Sequence, residues 1–157
     1  MRPVFLTTGP PTDAGPGWIA GMDIDAALEF IASQHNAVLA TLKADGTPQL
    51  SPVTIGVDDA GYAVISTRQA AYKVRHIRRD PRVWLCALPD RFYGEWVQLS
   101  GTAHIVELPE AMDGLVDYYR RISGEHPAWD DYRAAMVRDQ RVLLRITVTK
   151  AGPSVQG

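Results

Sequence analysis

The spacing of apolar positions changes several times along this chain, and each change predicts a different element. Ile24, Ala27, Leu28 and Ile31 recur at helical intervals behind Asp23, a favourable N-cap residue. They predict an amphipathic helix ending near Gln34. The pattern then becomes that of extended chain. Residues 38–42 read as a strand, Lys43-Ala44-Asp45-Gly46 as a hairpin turn, and residues 48–57 as the returning strand. Pro52 lies inside that strand and has no N–H to give a ladder, which predicts an edge, a bulge or a kink. Asp58-Asp59-Ala60-Gly61 turns the chain into a third strand over residues 62–67.

Helical spacing returns at Ala70, Val74 and Ile77, and Asp80-Pro81 ends that short helix near Arg79. Residues 82–88 form a strongly apolar strand, and residues 95–106 a long one. Pro109 sits where a helix would begin. Met112, Leu115, Val116, Tyr119 and Ile122 follow at helical spacing, Gly124 and Pro127 interrupt, and a second helix covers residues 128–138. Val142, Leu144, Ile146 and Val148 alternate with mostly polar partners and mark a closing strand. The early strands are too close in sequence for helical crossovers, so an antiparallel barrel with helices at its rim accommodates this order.

The 157 residues suffice for one domain with its own core. Residues 1–21 carry Gly9, Pro10, Pro11, Gly15, Pro16 and Gly17 and read as a poorly structured arm; residues 22–157 read as the folded domain. The arm lacks the pattern of a signal peptide, and no apolar run approaches the ~20 residues that span a bilayer. A net charge of -2 disfavours a general nucleic-acid binder. One cysteine, Cys86, excludes an internal disulfide. A reducing, cytoplasmic setting is expected.

Side chains alone offer little catalytic chemistry. His35, His76, His104 and His126 make no metal-ligand spacing with one another or with Cys86, so no metal is expected. His104 reads as a surface or rim residue, and His126 as a capping or packing residue. Cys86, amid Val83, Trp84, Leu85, Ala87 and Leu88, reads as a buried, inert thiol. No nucleophile elbow is present, so no catalytic residue is assigned.

One segment stands out against the weak overall acidity. Arg68, Lys73, Arg75, Arg78, Arg79 and Arg82 cluster where the strand end Ser66-Thr67 runs into a helix. Free N–H groups at a helix start, the Thr67 hydroxyl and Lys73 one turn on make a plausible phosphate cradle. From composition alone a solvated basic helix face is the favoured reading. Lys73 and Arg75 cannot point the same way on a helix, so the cluster is not one patch. Arg78, Arg79 and Arg82 are expected mainly to pair with acids on neighbouring elements.

At these residues a family resemblance emerges. Ala40-Thr41-Leu42, Asp45-Gly46 and Gln49-Leu50-Ser51-Pro52-Val53 resemble the opening of the pyridoxamine-phosphate-oxidase-like split-barrel superfamily. The stretch from Lys73 to Arg82 resembles the signature helix of its F420-binding branch, and Ser100-Gly101-Thr102-Ala103 a later strand. Trp129-Asp130-Asp131-Tyr132 and Arg141-Val142-Leu143-Leu144 are similar to a mycobacterial-type subgroup. The family often has Arg where Tyr72 stands and usually Asn where His76 stands.

The resemblance implies a mainly β fold with peripheral helices: a six-stranded antiparallel split β-barrel of the FMN-binding type. It also implies a homodimer with cofactor sites at the subunit interface. Gln49, Ser51, Ser66 and Thr67 would contact the ring system, and Lys73 the phosphate. Arg68, Tyr72 and Arg75 are further cofactor-binding candidates, and Tyr93 and Trp96 candidates for the substrate side. The implied activity is hydride transfer from reduced coenzyme F420 to an unsaturated small molecule. FMN on the same fold, or a non-catalytic F420 carrier, are the alternatives. No nucleic-acid or membrane partner is expected.

Overall fold

The computed structural model describes residues 22–156; the side chains discussed below belong to residues 22–152. The proposed N-terminal arm lies outside the described residues. Four helices and seven strands follow in the order α1 (Ile24–Ser33), β1 (Asn36–Leu42), β2 (Pro48–Thr54), β3 (Gly56–Val57), β4 (Ala63–Arg68), α2 (Tyr72–Arg79), β5 (Arg82–Leu88), β6 (Glu95–Val106), α3 (Met112–Ser123), α4 (Trp129–Arg138) and β7 (Arg141–Gln156).

All strands join one antiparallel sheet in the order β2-β1-β5-β6-β7-β4-β3. Its two edges, β2 and β3, are separated in the chain by Ile55 alone. A sheet whose opposite edges are one residue apart in sequence cannot lie flat. It curls into a half-barrel, the split-barrel architecture the sequence implies. Seven strands replace the expected six because residues 48–57 do not form one strand. At Ile55 the chain leaves β1 and joins β4. His35 holds the break: its carbonyl accepts the Ile55 N–H at 2.9 Å, and its Nδ1 lies 2.9 Å from the Ile55 carbonyl. Pro52 falls on an edge strand, where its missing N–H costs no internal ladder bond.

The strands' alternating burial defines an inner face. Leu39, Ile65, Leu85, Leu99 and Leu144 are almost fully buried there, and Ala27 and Ile31 of α1 and Val74 and Ile77 of α2 belong to the same cluster. Each such leucine, isoleucine or valine contributes about 1.5–3 kcal/mol on burial. A second cluster joins Leu115 and Val116 of α3 and Tyr132 and Met136 of α4 to Val64 and Leu143 of the sheet. No helix among the described residues is long and apolar enough to cross a membrane.

Several local expectations change. Asp23 takes the N-cap position of α1, but its side chain makes no capping bond; its backbone carbonyl accepts from Ala27 at 3.0 Å. Helix α3 begins at Met112, after a turn that starts at Pro109. Strand β7 runs eight residues past the expected end at Val148 because its second half pairs with the start of β6. Cys86 is only half-buried. Strand β5 alternates between buried Val83, Leu85 and Ala87 and half-exposed Trp84, Cys86 and Leu88, so the thiol faces outward. Partial burial still pushes its pKa up, which disfavours the reactive thiolate.

Candidate functional site

Three parts of the fold converge on a cleft of about 450 Å³. Pro52, Val53 and Thr54 come from the end of β2, Ser66 and Thr67 from the end of β4, and Lys73 from the first turn of α2. The opposite wall is Tyr118 and Tyr119 of α3 with Tyr132 and Met136 of α4. Arg141, the first residue of β7, completes it.

The tyrosine wall is held from behind. Tyr119, His126, Trp129 and Tyr132 pack ring to ring, with adjacent centroids 5.0 to 5.9 Å apart. The Tyr132 hydroxyl donates to the Leu115 carbonyl at 2.8 Å, and Tyr118 to that of Thr54 at 2.8 Å. The second bond ties α3 to the β2 end across the cleft. His126 also accepts the Ala128 N–H at 3.0 Å, so it both caps and packs.

The electrostatics of the cleft are one-sided. Its lining contains Lys73 and Arg141 and no carboxylate. Burial disfavours the charged Lys73 amine and holds its pKa below the ordinary lysine value. The Arg141 Nε is buried without any hydrogen-bond partner. A buried guanidinium nitrogen left unpartnered is costly, and an anionic ligand would satisfy it. Helix α2 has neither a side-chain N-cap nor an acid in its first turn, so its positive end is uncompensated. These features fit a phosphate-bearing cofactor.

The sequence candidates divide between this cleft and other places. Ser66, Thr67 and Lys73 line it together. Gln49 and Ser51 are half-buried on β2, opposite Thr41 and Leu39 and on the same strand face as Val53. Arg68 is exposed at the end of β4, directly opposite Arg141. Tyr72 is exposed on α2, where the Arg75 guanidinium stands 5.5 Å from its ring centre. Tyr93 is exposed in the loop before β6, edge-on to Phe92, and Trp96 is half-buried at the start of β6. Neither lines the cleft of a single chain.

The remaining basic residues have local partners. Arg78 pairs with Glu107, and Arg82 with Asp80 at 2.6 Å. Arg79 departs from expectation: it donates to the Leu42 carbonyl at 2.6 Å rather than to an acid. His76 is buried, its Nδ1 2.9 Å from the Thr41 hydroxyl. Burial and then the positive charges of Arg79, Arg75 and Lys43 lower its pKa. Sequence reasoning missed the role of Tyr118, Tyr132, Met136 and Arg141. Their signal was a tyrosine-rich helical hairpin running into an arginine at a strand start.

A single antiparallel sheet curled into a half-barrel, with helices packed against it, is the split-barrel architecture. The chain belongs to the pyridoxamine 5'-phosphate oxidase family, which matches residues 24–153. Among solved structures it is similar to the conserved hypothetical protein Rv2991 from Mycobacterium tuberculosis, at 27% identity and a TM-score of 0.68 over 83% of this chain and 82% of that one. An F420 reductase has the same fold at 21% identity and a TM-score of 0.61, over 79% and 94% of the two chains. So does HutZ, the heme storage protein from Vibrio cholerae, at 17% identity and a TM-score of 0.64, over 87% and 98%.

Proposed function

We propose that this protein is an oxidoreductase that holds a phosphate-bearing, flavin-like cofactor, coenzyme F420, in the Lys73 cleft. The observation that carries the reading is a partly buried lysine beside Ser66 and Thr67 in a cleft whose lining has no carboxylate. The signature-like run from Lys73 to Arg82 favours F420 over FMN, and the fold shared with an F420 reductase supports it.

When bound, such a cofactor supplies a hydride for an unsaturated small molecule. The chain supplies position and electrostatics. Lys73 anchors the phosphate, and the Ser66 and Thr67 hydroxyls orient the attached group. The cleft phenols hold their protons: burial raises the pKa of Tyr118 and pushes that of Tyr132 up to about 12. Both hydroxyls already donate to backbone carbonyls, Tyr118 to Thr54 and Tyr132 to Leu115, so the proton that follows the hydride is assigned to water. A fluorescence titration of the purified protein is expected to give a lower Kd for F420 than for FMN. The reverse order would replace F420 by FMN in this reading.

The reading includes a homodimer. The outward face of the sheet carries Val38, Ala40, Leu50, Trp84 and Cys86 around a shallow apolar groove, with Leu50 65% exposed. Apolar surface of this kind is stabilised by a partner. Light scattering is expected to give about twice the chain mass of 17.3 kDa. Leu50→Arg is expected to shift the protein toward monomer. A monomeric wild type that binds cofactor with full affinity would overturn the shared site.

A further inference from the structure

Six of the arginines meet a carboxylate, in the pairs Arg78–Glu107, Arg82–Asp80, Arg120–Glu125, Arg138–Asp139, Arg145–Asp58 and Arg121 with both Asp59 and Asp117. Among the described residues Arg75, Arg79, Arg91 and Arg133 meet none, and nor do Arg68 and Arg141, which differ from those four in their placement. They stand directly opposite each other on β4 and β7, and no ion pair among the described residues engages either. Like charges directly opposite on neighbouring strands destabilise a sheet. The nearest acid along the chain, Asp139, is taken by Arg138 at 3.4 Å and does not line the cleft.

The backbone leading into Arg141 is strained as well. Gln140 has φ +49°, the one positive value at a non-glycine among the described residues. That conformation is disfavoured for a side chain with a Cβ. It turns the chain sharply out of α4, and the Gln140 carbonyl is fixed by the Gln69 N–H at 2.9 Å. The turn thus delivers Arg141 to the rim of the cleft, next to the Ser66-Thr67 strand end. Its Nε is buried there with no partner.

We propose that Arg141 is a second anion anchor of the cleft. Arg68 and Lys73 complete a site for a ligand portion with at least two negative charges, such as a phosphate with an adjacent carboxylate, or a diphosphate. A dianion held by Arg141 and Lys73 in the cleft and reached from its edge by Arg68 offsets the like charges of the opposed strand positions and partners the orphaned Nε. Only the identity of the natural ligand rests on the cofactor reading above; the anion site stands on the cross-strand pair, the strained turn and the buried nitrogen.

The test uses the intact chain and two kinds of probe. Inorganic pyrophosphate is titrated against the thermal midpoint of wild type, Arg141→Gln and Arg141→Lys. Coenzyme F420 and its phosphate-free deazaflavin fragment are titrated by fluorescence. Pyrophosphate is expected to raise the wild-type midpoint, and Arg141→Gln to abolish most of that rise. The variant is expected to bind F420 roughly tenfold more weakly, as for one lost charge-assisted bond, and the fragment with little change. Arg141→Lys is expected to recover part of both. Without ligand, the midpoint of Arg141→Gln is expected to match or exceed wild type, because one repelling charge is gone. Unchanged pyrophosphate and F420 binding in Arg141→Gln would overturn the proposal. So would a variant that melts lower but binds fully, since Arg141 would then be structural. A pyrophosphate shift that vanishes in Arg141→Gln, in a protein that binds no F420, would uphold the anion site and overturn the cofactor instead.

Discussion

Lys73→Ala is expected to weaken cofactor binding ten- to a hundredfold while leaving the fold intact. A hydrogen bond between charged groups is worth about 1.5–3 kcal/mol, which is roughly that range in Kd. The unliganded protein should not suffer, because its amine already sits where charge is disfavoured. The sign follows from proton counting. The folded pKa lies below the unfolded one, so between the two values the unfolded chain binds more protons, and stability rises with pH there. Below that window the buried charge is a standing cost, which alanine removes. An anionic ligand reverses the balance by favouring the protonated amine. Wild-type affinity is therefore expected to fall with rising pH before the ordinary lysine value of 10.5 is reached. The variant is expected to lack that limb. Titrations across pH 7 to 10.5, with circular dichroism as the folding control, check both parts. Equal Kd values for wild type and variant would remove Lys73 from the site.

Gly101→Ala is expected to be the most damaging single methyl addition in the sheet. Gly101 lies at a β-bulge where β6 and β7 change register. A Cβ there would stand 2.0 Å from the Thr147 carbonyl oxygen and 2.9 Å from its carbon. Both atoms belong to the backbone of the neighbouring strand, so no side-chain rotation relieves the clash. The two strands must separate, and their pairing is the most extensive in the sheet. The expected loss is about 3 kcal/mol or more, at the upper end for point substitutions. Gly56→Ala is the control: its nearest neighbour, Ile122 Cδ1, lies at 3.5 Å, an ordinary contact. Thermal melts of the two variants are expected to differ widely. Similar midpoints would contradict the close approach of β6 and β7.

Local periodicity carried most of the fold. The apolar run of β5 and the long strand β6 were readable to the residue, and α4 to within one position. What stayed hidden depends on contacts between distant segments. Nothing local to residues 48–57 shows that Ile55 divides one strand into two, because the division follows from pairing with β1 and β4. Strand β5 is apolar at nearly every position, so its composition does not say which way Cys86 faces. The site behaved similarly. Ser66, Thr67 and Lys73 were legible because they are close in sequence and mark a strand end running into a helix. Arg141 was legible only as part of a family resemblance. Its place beside them is set by β4–β7 pairing and by the turn at Gln140. The tyrosines of α3 and α4 have helical spacing, which announces packing and does not distinguish a core-facing ring from one that lines a cleft.

The break at Ile55 also bears on main-chain pairing between copies of this protein. An open sheet ordinarily exposes two rows of unpaired N–H and C=O groups, each a template for strand addition and fibril growth. Here the two edge strands adjoin in the chain at Ile55, and the two residues of β3 leave little to copy. The outer strand β2 carries Pro48 and Pro52, which cannot donate to an incoming strand. Recruitment of one chain by another through main-chain pairing is thus disfavoured at both ends. Association is left to the faces of the sheet, where side chains rather than backbone choose the partner.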